Sequence, residues 1–295
     1  MVGFLNSYLS DGFANLIKAG GELLWPALFF LALGLIVKRG QFFTDAKRAA
    51  HEASLNVQIV AFNAILVAPA LIFGSQAVVE IIYGANLFAI QPSFWSGVPA
   101  WLTILVAIFI GDFIGYWRHR LEHTRILWPS HAVHHSDTEM TWIAVHRFHP
   151  INRVTTFFID SSILLMLGLP PFALIANNLV RHYYGAFIHA DLPWTYGPLS
   201  RIFVSPAMHR WHHAKDAEAF DTNYATVFSI FDRAFGTYRV PGPCDVPLGV
   251  TDDMVASLYG QMAHPFKPSS YQNWVSVDEH IEREKADAAK VTPAE

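Results

Sequence analysis

The chain has 295 residues, 53% hydrophobic and 15% charged, where an average soluble domain carries about 25% charged residues. That balance, with 23 Phe and 9 Trp, points to a membrane protein. A net charge of −4 with neutral histidine argues against a nucleic-acid binder, and the single cysteine, Cys244, excludes an internal disulfide framework and any Cys-rich metal site. Cys244 lies in the turn-rich VPGPCDVP and reads as a surface thiol. The first twenty residues lack a basic start followed by a clean apolar core, so membrane insertion is expected from internal segments.

The first apolar run, LLWPALFFLALGLIV (23–37), extends back to Gly20 and closes on Lys38, Arg39 and Gly40. It approaches the ~20 residues that cross a bilayer. A second run covers Leu55–Phe73 and continues toward Tyr83, with Asn56, Gln58 and Asn63 making its first half less apolar. A third, Trp95–Trp117, spans a bilayer with some tilt. The fourth, Val154–Val180, contains Pro170-Pro171, which cannot sit inside a regular helix; two helices, about 154–168 and 171–188, are expected to form a hairpin there. Basic residues cluster after the first span (Lys38, Arg39, Lys47, Arg48) and after the third (Arg118, Arg120, Arg125, Arg147, Arg153), while 84–94 has none. By the positive-inside tendency those ends are cytoplasmic. From 190 onward the chain is mixed and turn-rich, and DEHIEREKADAAK (278–290) reads as a solvated or frayed helix. The expected fold is all-α: an integral membrane bundle of about three spans plus a helical hairpin, under a cytoplasmic cap. Its segments are N-terminal helices (1–94), a central region (95–240) and a C-terminal segment (241–295), forming one structural unit.

The chemistry lies in the histidines. HRLEH places His119 and His123 at i, i+4; HAVHH places His131, His134 and His135 at i, i+3, i+4; HRWHH repeats that spacing with His209, His212 and His213. On a helix these offsets share one face. Because the hairpin returns the chain to the side it left, all three groups face the same way. Neutral buried imidazoles need partners for their ring nitrogens, and a metal ion accepts those lone pairs. Eight such ligands exceed one tetrahedral zinc, so two metal ions are the natural count. Glu-x-x-His pairs, HExxH and Gly-rich phosphate loops are absent.

HRLEH, HAVHH, RFHP and MHRWHH followed by NYATVFSIFDRAFGTY resemble the fatty acid hydroxylase/sterol desaturase superfamily over about residues 95–240. The resemblance implies two non-haem irons, O₂ as oxidant, and hydroxylation or desaturation of a lipid C–H bond. It implies a further ligand between the second and third boxes: His189 in FIHADLPW, with His182 as the less fitting substitute. His149 in RFHP matches another family position and is a candidate for metal contact or for hydrogen bonding beside the site; His146 departs from the pattern.

An all-histidine site leaves the metals' positive charge uncompensated, so nearby carboxylates should orient the imidazoles and offset it. Asp112 and Asp232 are the candidates, and Glu122 is expected to point off the ligand face into solvent. Trp101, Trp117, Trp128, Trp142, Trp194 and Trp211 read as an interfacial aromatic belt or pocket residues. With no flavin, NAD or haem-binding motif, a separate ferredoxin- or cytochrome-type donor with an NAD(P)H-dependent reductase is implied; Arg201, Arg210 and Lys215 are candidates to dock it. The expected activity is therefore monooxygenase action on a lipid, in a bacterial inner membrane or the endoplasmic reticulum. Desaturation or methyl oxidation at the same site is the alternative within the enzyme class, and a non-catalytic metal-binding membrane protein the alternative outside it. Zinc can replace iron in purified protein, because histidine sites favour it by ligand affinity.

Overall fold

In a computed structural model, which describes residues 2–272, the first apolar run lies within one long helix, α1 (Val2–Lys38). Its 37 residues make about 55 Å at ~1.5 Å per residue, well beyond the ~30 Å hydrocarbon core of a bilayer. A tight turn at Arg39–Gln41, with Arg39 at φ +51°, reverses the chain into α2 (Phe42–Phe62). A π-helical turn, Asn63–Val67, continues directly into α3 (Ala68–Gly84). The hairpin is antiparallel: Gly34 faces the Phe42 ring, and Tyr8 donates to the Leu66 carbonyl at 2.5 Å. Residues 27–34 therefore share a cavity wall with 42–53, and 15–23 with 60–72. The first two apolar runs are staggered along the hairpin rather than level with each other, a register set by contacts distant in sequence. By length and composition, two helical stretches among the described residues can cross a membrane, one within Asn6–Gly84 and the other at Ala100–Glu122.

The third run begins later than its apolar residues suggest. Pro92 opens a short turn through Gly97, Pro99 follows, and α4 covers Ala100–Glu122. The residue before a proline is held extended, and Val98 is (φ −101°, ψ 133°). Trp95 is buried, its indole donating to the Leu167 carbonyl at 2.9 Å. The HAVHH box forms α5 (Trp128–His135). The fourth run folds as the expected hairpin: α6 (Pro150–Thr156), a π-helical turn at Phe157–Ser161 and α7 (Ser162–Met166) lead to the double proline, and α8 (Pro171–His189) returns. The HRWHH box forms α9 (Pro206–His212), and the cap adds α10 (Ile230–Ala234) and α11 (Leu258–Ala263). The described residues contain no β-strand, only two isolated bridges; the charged stretch 278–290 lies outside them.

α8 packs on α4 along two glycines. A Cβ at Gly111 would overlap the Asn177 side chain, and one at Gly115 would overlap the Arg181 guanidinium. The space lets polar groups enter the bundle, where each must be paired. Arg181 meets Asp160 at 2.9 Å and lies 3.7 Å from Asp112; Arg118 meets Asp160 at 2.8 Å and Glu122 at 2.6 Å. The resulting row of alternating charges accounts for Asp160, the one charged residue within the apolar run 154–180.

A second buried charge joins α2 to α5. Arg147 is fully buried; it pairs with Glu52, donates to Asn56, the Val133 carbonyl and Ser136, and lies 3.8 Å from Asp137. Removing one partner of such a group leaves uncompensated charge, at a cost of about 3–5 kcal/mol. Arg147→Met is expected to lower stability by about that amount. A thermal midpoint unchanged from wild type would contradict this role.

Candidate metal centre

Nine buried or nearly buried histidines converge in two adjoining groups: His119, His123, His131, His135 and His212 in one, His134, His189, His209 and His213 in the other. Within each group the ligand nitrogens all lie within 4.8 Å of one another. The two HxxHH boxes are used reciprocally. The second box sends its i and i+4 rings (His131, His135) to the first group and its i+3 ring (His134) to the other; the third box sends His209 and His213 to the second group and His212 to the first. Each His-His dipeptide is thereby split across the pair, and the groups abut where the His135 and His213 rings stack at 4.3 Å. His119 and His123, at the end of α4, complete the five-membered group, and His189, ending α8, completes the four-membered one.

Hydrogen bonds fix which nitrogen faces inward. His119 Nδ1–H donates to the Tyr224 carbonyl (2.7 Å) and His212 Nδ1–H to the Thr222 carbonyl (2.6 Å). A neutral imidazole has one N–H, so both Nε2 atoms carry lone pairs. Those lone pairs face each other at 2.9 Å. His189 repeats the arrangement: Nδ1–H donates to Gly185 O (2.6 Å), and Nε2 lies 3.2 Å from His134 Nε2 and 3.1 Å from His209 Nε2. Opposed lone pairs repel unless a cation lies between them or a ring is protonated. Burial opposes protonation: His131, His134, His135, His209, His212 and His213 are all held well below the usual histidine value, first by burial and then by neighbouring imidazoles. A metal bound at ~2.0–2.1 Å to each nitrogen sets donors at about these separations. Buried His123 Nε2 and His135 Nε2 also have no partner within the protein. The donor set therefore fits two metal ions, one per group.

The carboxylates that reach the imidazoles are not the two expected. Asp221 accepts from His123 Nδ1–H at 3.1 Å, and Glu122 lies 3.4 Å from His131 Nδ1. Glu122, expected in solvent, is fully buried, held by Arg118 and by Thr155 (2.5 Å). α6 packs over it and closes off water, and the alternating-charge row ends on it. Asp112 and Asp232 touch no histidine. Asp112 accepts the backbone N–H groups of Thr226, Val227 and Phe228; Asp232 accepts those of Tyr224 and Ala225, plus the Thr237 hydroxyl. Together they shape the 222–228 loop, whose carbonyls at 222 and 224 orient His212 and His119. Their effect on the imidazoles passes through the backbone. Asp160, alone among charged residues in the apolar run 154–180, and the i, i+4 spacing of Arg118 and Glu122 were the sequence signals for the Glu122 network; Asp221 had none beyond its place in a turn after the third box.

The other candidates lie outside both groups. His149 caps α6, accepting from Ile151 N–H, and donates from Nε2 to the Met262 carbonyl; burial lowers it to about 4. His146 and His182 pair with each other, ring centroids 5.1 Å apart, along a separate cavity. Trp128 and Trp211 are not belt residues: Trp128 packs on the His123 and His135 rings and Trp211 is buried. Arg210 is engaged by Asp191 (3.3 Å) and the Met140 carbonyl, whereas Arg201 and Lys215 are exposed. Cys244 is half-buried against Met140 and Trp211 rather than a surface thiol.

An all-helical scaffold with long apolar helices and two adjoining histidine groups defines a histidine-box protein of the membrane-helix type. Residues 104–237 match the fatty acid hydroxylase family model, and over this part the chain is similar to lipid hydroxylases, monooxygenases and sterol desaturases. It is 32% identical over 170 residues to the ornithine lipid hydroxylase OlsE of Rhizobium tropici, covering 57% of this chain and 51% of that one. It is 29% identical over 172 residues to the alkylglycerol monooxygenase of Homo sapiens (58% and 38% covered). A Delta(7)-sterol 5(6)-desaturase of Gibberella zeae is 31% identical over 131 residues (44% and 36%). The chain thus spans about half or less of these relatives' lengths. No solved structure matches it.

Two outcomes follow from the site. Asp221→Asn, which weakens the acceptor behind His123, should reduce metal affinity by about ten- to a hundredfold, measured by competition with a chelator; Asp232→Asn should do so only with loss of loop order. In metal-free protein, the six lowered histidines bind protons more readily when unfolded. Stability is therefore fully present above about pH 6.5, the unfolded value, and falls progressively below it. A thermal midpoint flat from pH 7.5 to 5 would contradict their burial as neutral rings.

Proposed function

We propose that the protein is a membrane-bound di-iron oxygenase that hydroxylates an unactivated C–H bond of a lipid, using O₂ and electrons from a separate donor. The observation that carries this is the pair of histidine groups with inward-facing lone pairs. Iron, when bound there, supplies O₂ activation and C–H oxidation. The chain's own part is to hold His119, His212 and His189 as Nδ1–H tautomers, to set Glu122 and Asp221 behind His131 and His123, and to keep water away by burial. His119, His123, His131, His134, His135, His189, His209, His212 and His213 are the proposed ligands, with zinc as a substitute in purified protein.

A lipid substrate is supported by what the relatives are named for, an ornithine lipid and alkylglycerol among them, and by the apolar helices beside the cap. Lys38, at the basic turn of the α1–α2 hairpin, is ion-paired with Asp191, two residues after His189. The basic turn and the histidine cap thus share a side, which the positive-inside tendency makes cytoplasmic. Exposed Arg201 and Lys215 beside the third box suit an acidic ferredoxin- or cytochrome-type donor.

The reading is tested in membranes containing the protein, iron and a reductase-coupled donor under ¹⁸O₂. One labelled oxygen atom per oxidised lipid, lost in His212→Ala, is expected. Loss of two hydrogens without labelled oxygen would reassign the site to desaturation. No lipid- and iron-dependent O₂ uptake would overturn the enzyme reading.

A further inference from the structure

A cavity of about 340 Å³ lies between α1, the α2–α3 junction and the body of the molecule. Its mouth carries Lys18 and Glu22, an exposed pair 3.8 Å apart; its back carries Asn63, His146, Arg153 and His182. Arg118, Arg147 and Arg181 each have a carboxylate within 3 Å, but among the described residues no ion pair includes Arg153, and its buried Nε has no partner. Asn63 is 6% exposed, and its Nδ2 donates to the Phe148 carbonyl at 2.9 Å. That bond fixes the amide orientation and leaves Oδ1 buried with no donor. An unpaired guanidinium and an unfilled acceptor in one cavity are each costly without a ligand. By contrast, the cavity beside the hairpin turn has its basic groups already matched: Lys38 with Asp45 and Asp191, Arg48 with Asp45 and Glu139.

Two further features tie the cavity to the metal centre. π-helical turns, which are frequent at functional sites, occur at Asn63–Val67 in its wall and at Phe157–Ser161 directly after Arg153's helix. Phe148 joins cavity to site: its ring stacks parallel on His134 at 4.5 Å (8° between planes), and the Arg153 guanidinium lies 5.3 Å from the same ring. A group held at Arg153 is thus one aromatic ring away from the four-histidine group.

We propose that this cavity holds the polar end of the lipid substrate: Arg153 binds an anionic group, carboxylate or phosphate, and Asn63 Oδ1 accepts from a neighbouring amide or hydroxyl. The assignment rests on the lipid-oxygenase reading and adds an anionic headgroup to it.

The full-length protein in detergent is titrated with two fluorescent anionic lipids, cis-parinaric acid and a labelled lysophosphatidate, and with their neutral counterparts, the methyl ester and the matching monoacylglycerol. Wild type should bind at least one anionic probe about tenfold or more tightly than its neutral counterpart, the scale of one charge-assisted hydrogen bond. Arg153→Gln should abolish that preference while leaving the neutral probe and the metal content unchanged, and Arg153→Lys should retain most of it. Asn63→Asp, which adds a negative charge with Arg153 intact, should weaken the acid and spare the ester; it tests the site should Arg153→Gln fail to fold. Equal binding of charged and neutral probes by wild type, or an undiminished preference in Arg153→Gln, would overturn the assignment. Displacement of the probe by millimolar inorganic phosphate would transfer the site to a soluble anion and overturn its lipid part. Hydroxylation of a lipid alongside equal probe binding would sink the headgroup site and leave the oxygenase standing; an Arg153-dependent preference with no oxygenated product would keep the anion site and remove the oxygenase.

Discussion

Neutral imidazoles brought together with their lone pairs pointing inward are an arrangement that water or protons would disrupt. The rest of this structure follows from that constraint. For five of the nine rings, His119, His212, His189, His123 and His131, an acceptor holds the outward nitrogen. The acceptors are backbone carbonyls at Tyr224, Thr222 and Gly185 and the carboxylates of Asp221 and Glu122. The acceptors need scaffolding of their own. Asp112 and Asp232 supply it by binding the N–H groups of the 224–228 loop, and the Arg118–Asp160–Arg181 row supplies it by fixing Glu122.

This layering explains an otherwise costly feature, the set of charged groups inside an apolar bundle. Isolated, each would carry a heavy desolvation penalty; alternated in sign and hydrogen-bonded, they become a rigid strut from the α4–α8 contact to the histidines. Gly111 and Gly115 are part of the same device, because any side chain there would displace Asn177 or Arg181. Arg147 performs the equivalent task on the other side, fastening α2 to the helix that carries HAVHH. The four-histidine group is supported differently: buried Nδ1 atoms of His134, His209 and His213 have no protein partner, so the two proposed metal positions are chemically unequal.

Much of the site was legible because its information is local. Spacings of i, i+3 and i+4 bring rings together on a single turn, and the double proline dictated a hairpin that returns the chain to the same side. The all-α class followed from long apolar runs punctuated by proline and glycine. What could not be read depends on contacts distant in sequence. Helical geometry alone turned Glu122 away from the ligand face; Thr155, thirty-three residues later, encloses it. The partition of each His-His dipeptide between groups is a property of how α5 and α9 meet. The stagger of the α1–α2 hairpin depends on the tight turn at Arg39–Gln41 and the π-helical turn at Asn63, and neither has a periodicity signature.

The most direct test of the paired histidine groups is anomalous X-ray diffraction at the iron edge from iron-loaded crystals of the full-length protein. Two peaks per chain are predicted, one bounded by Nε2 of His119 and His212 and the other by Nε2 of His134, His189 and His209, each at about 2.1 Å. A single peak, or metal bound away from both clusters, would contradict the account.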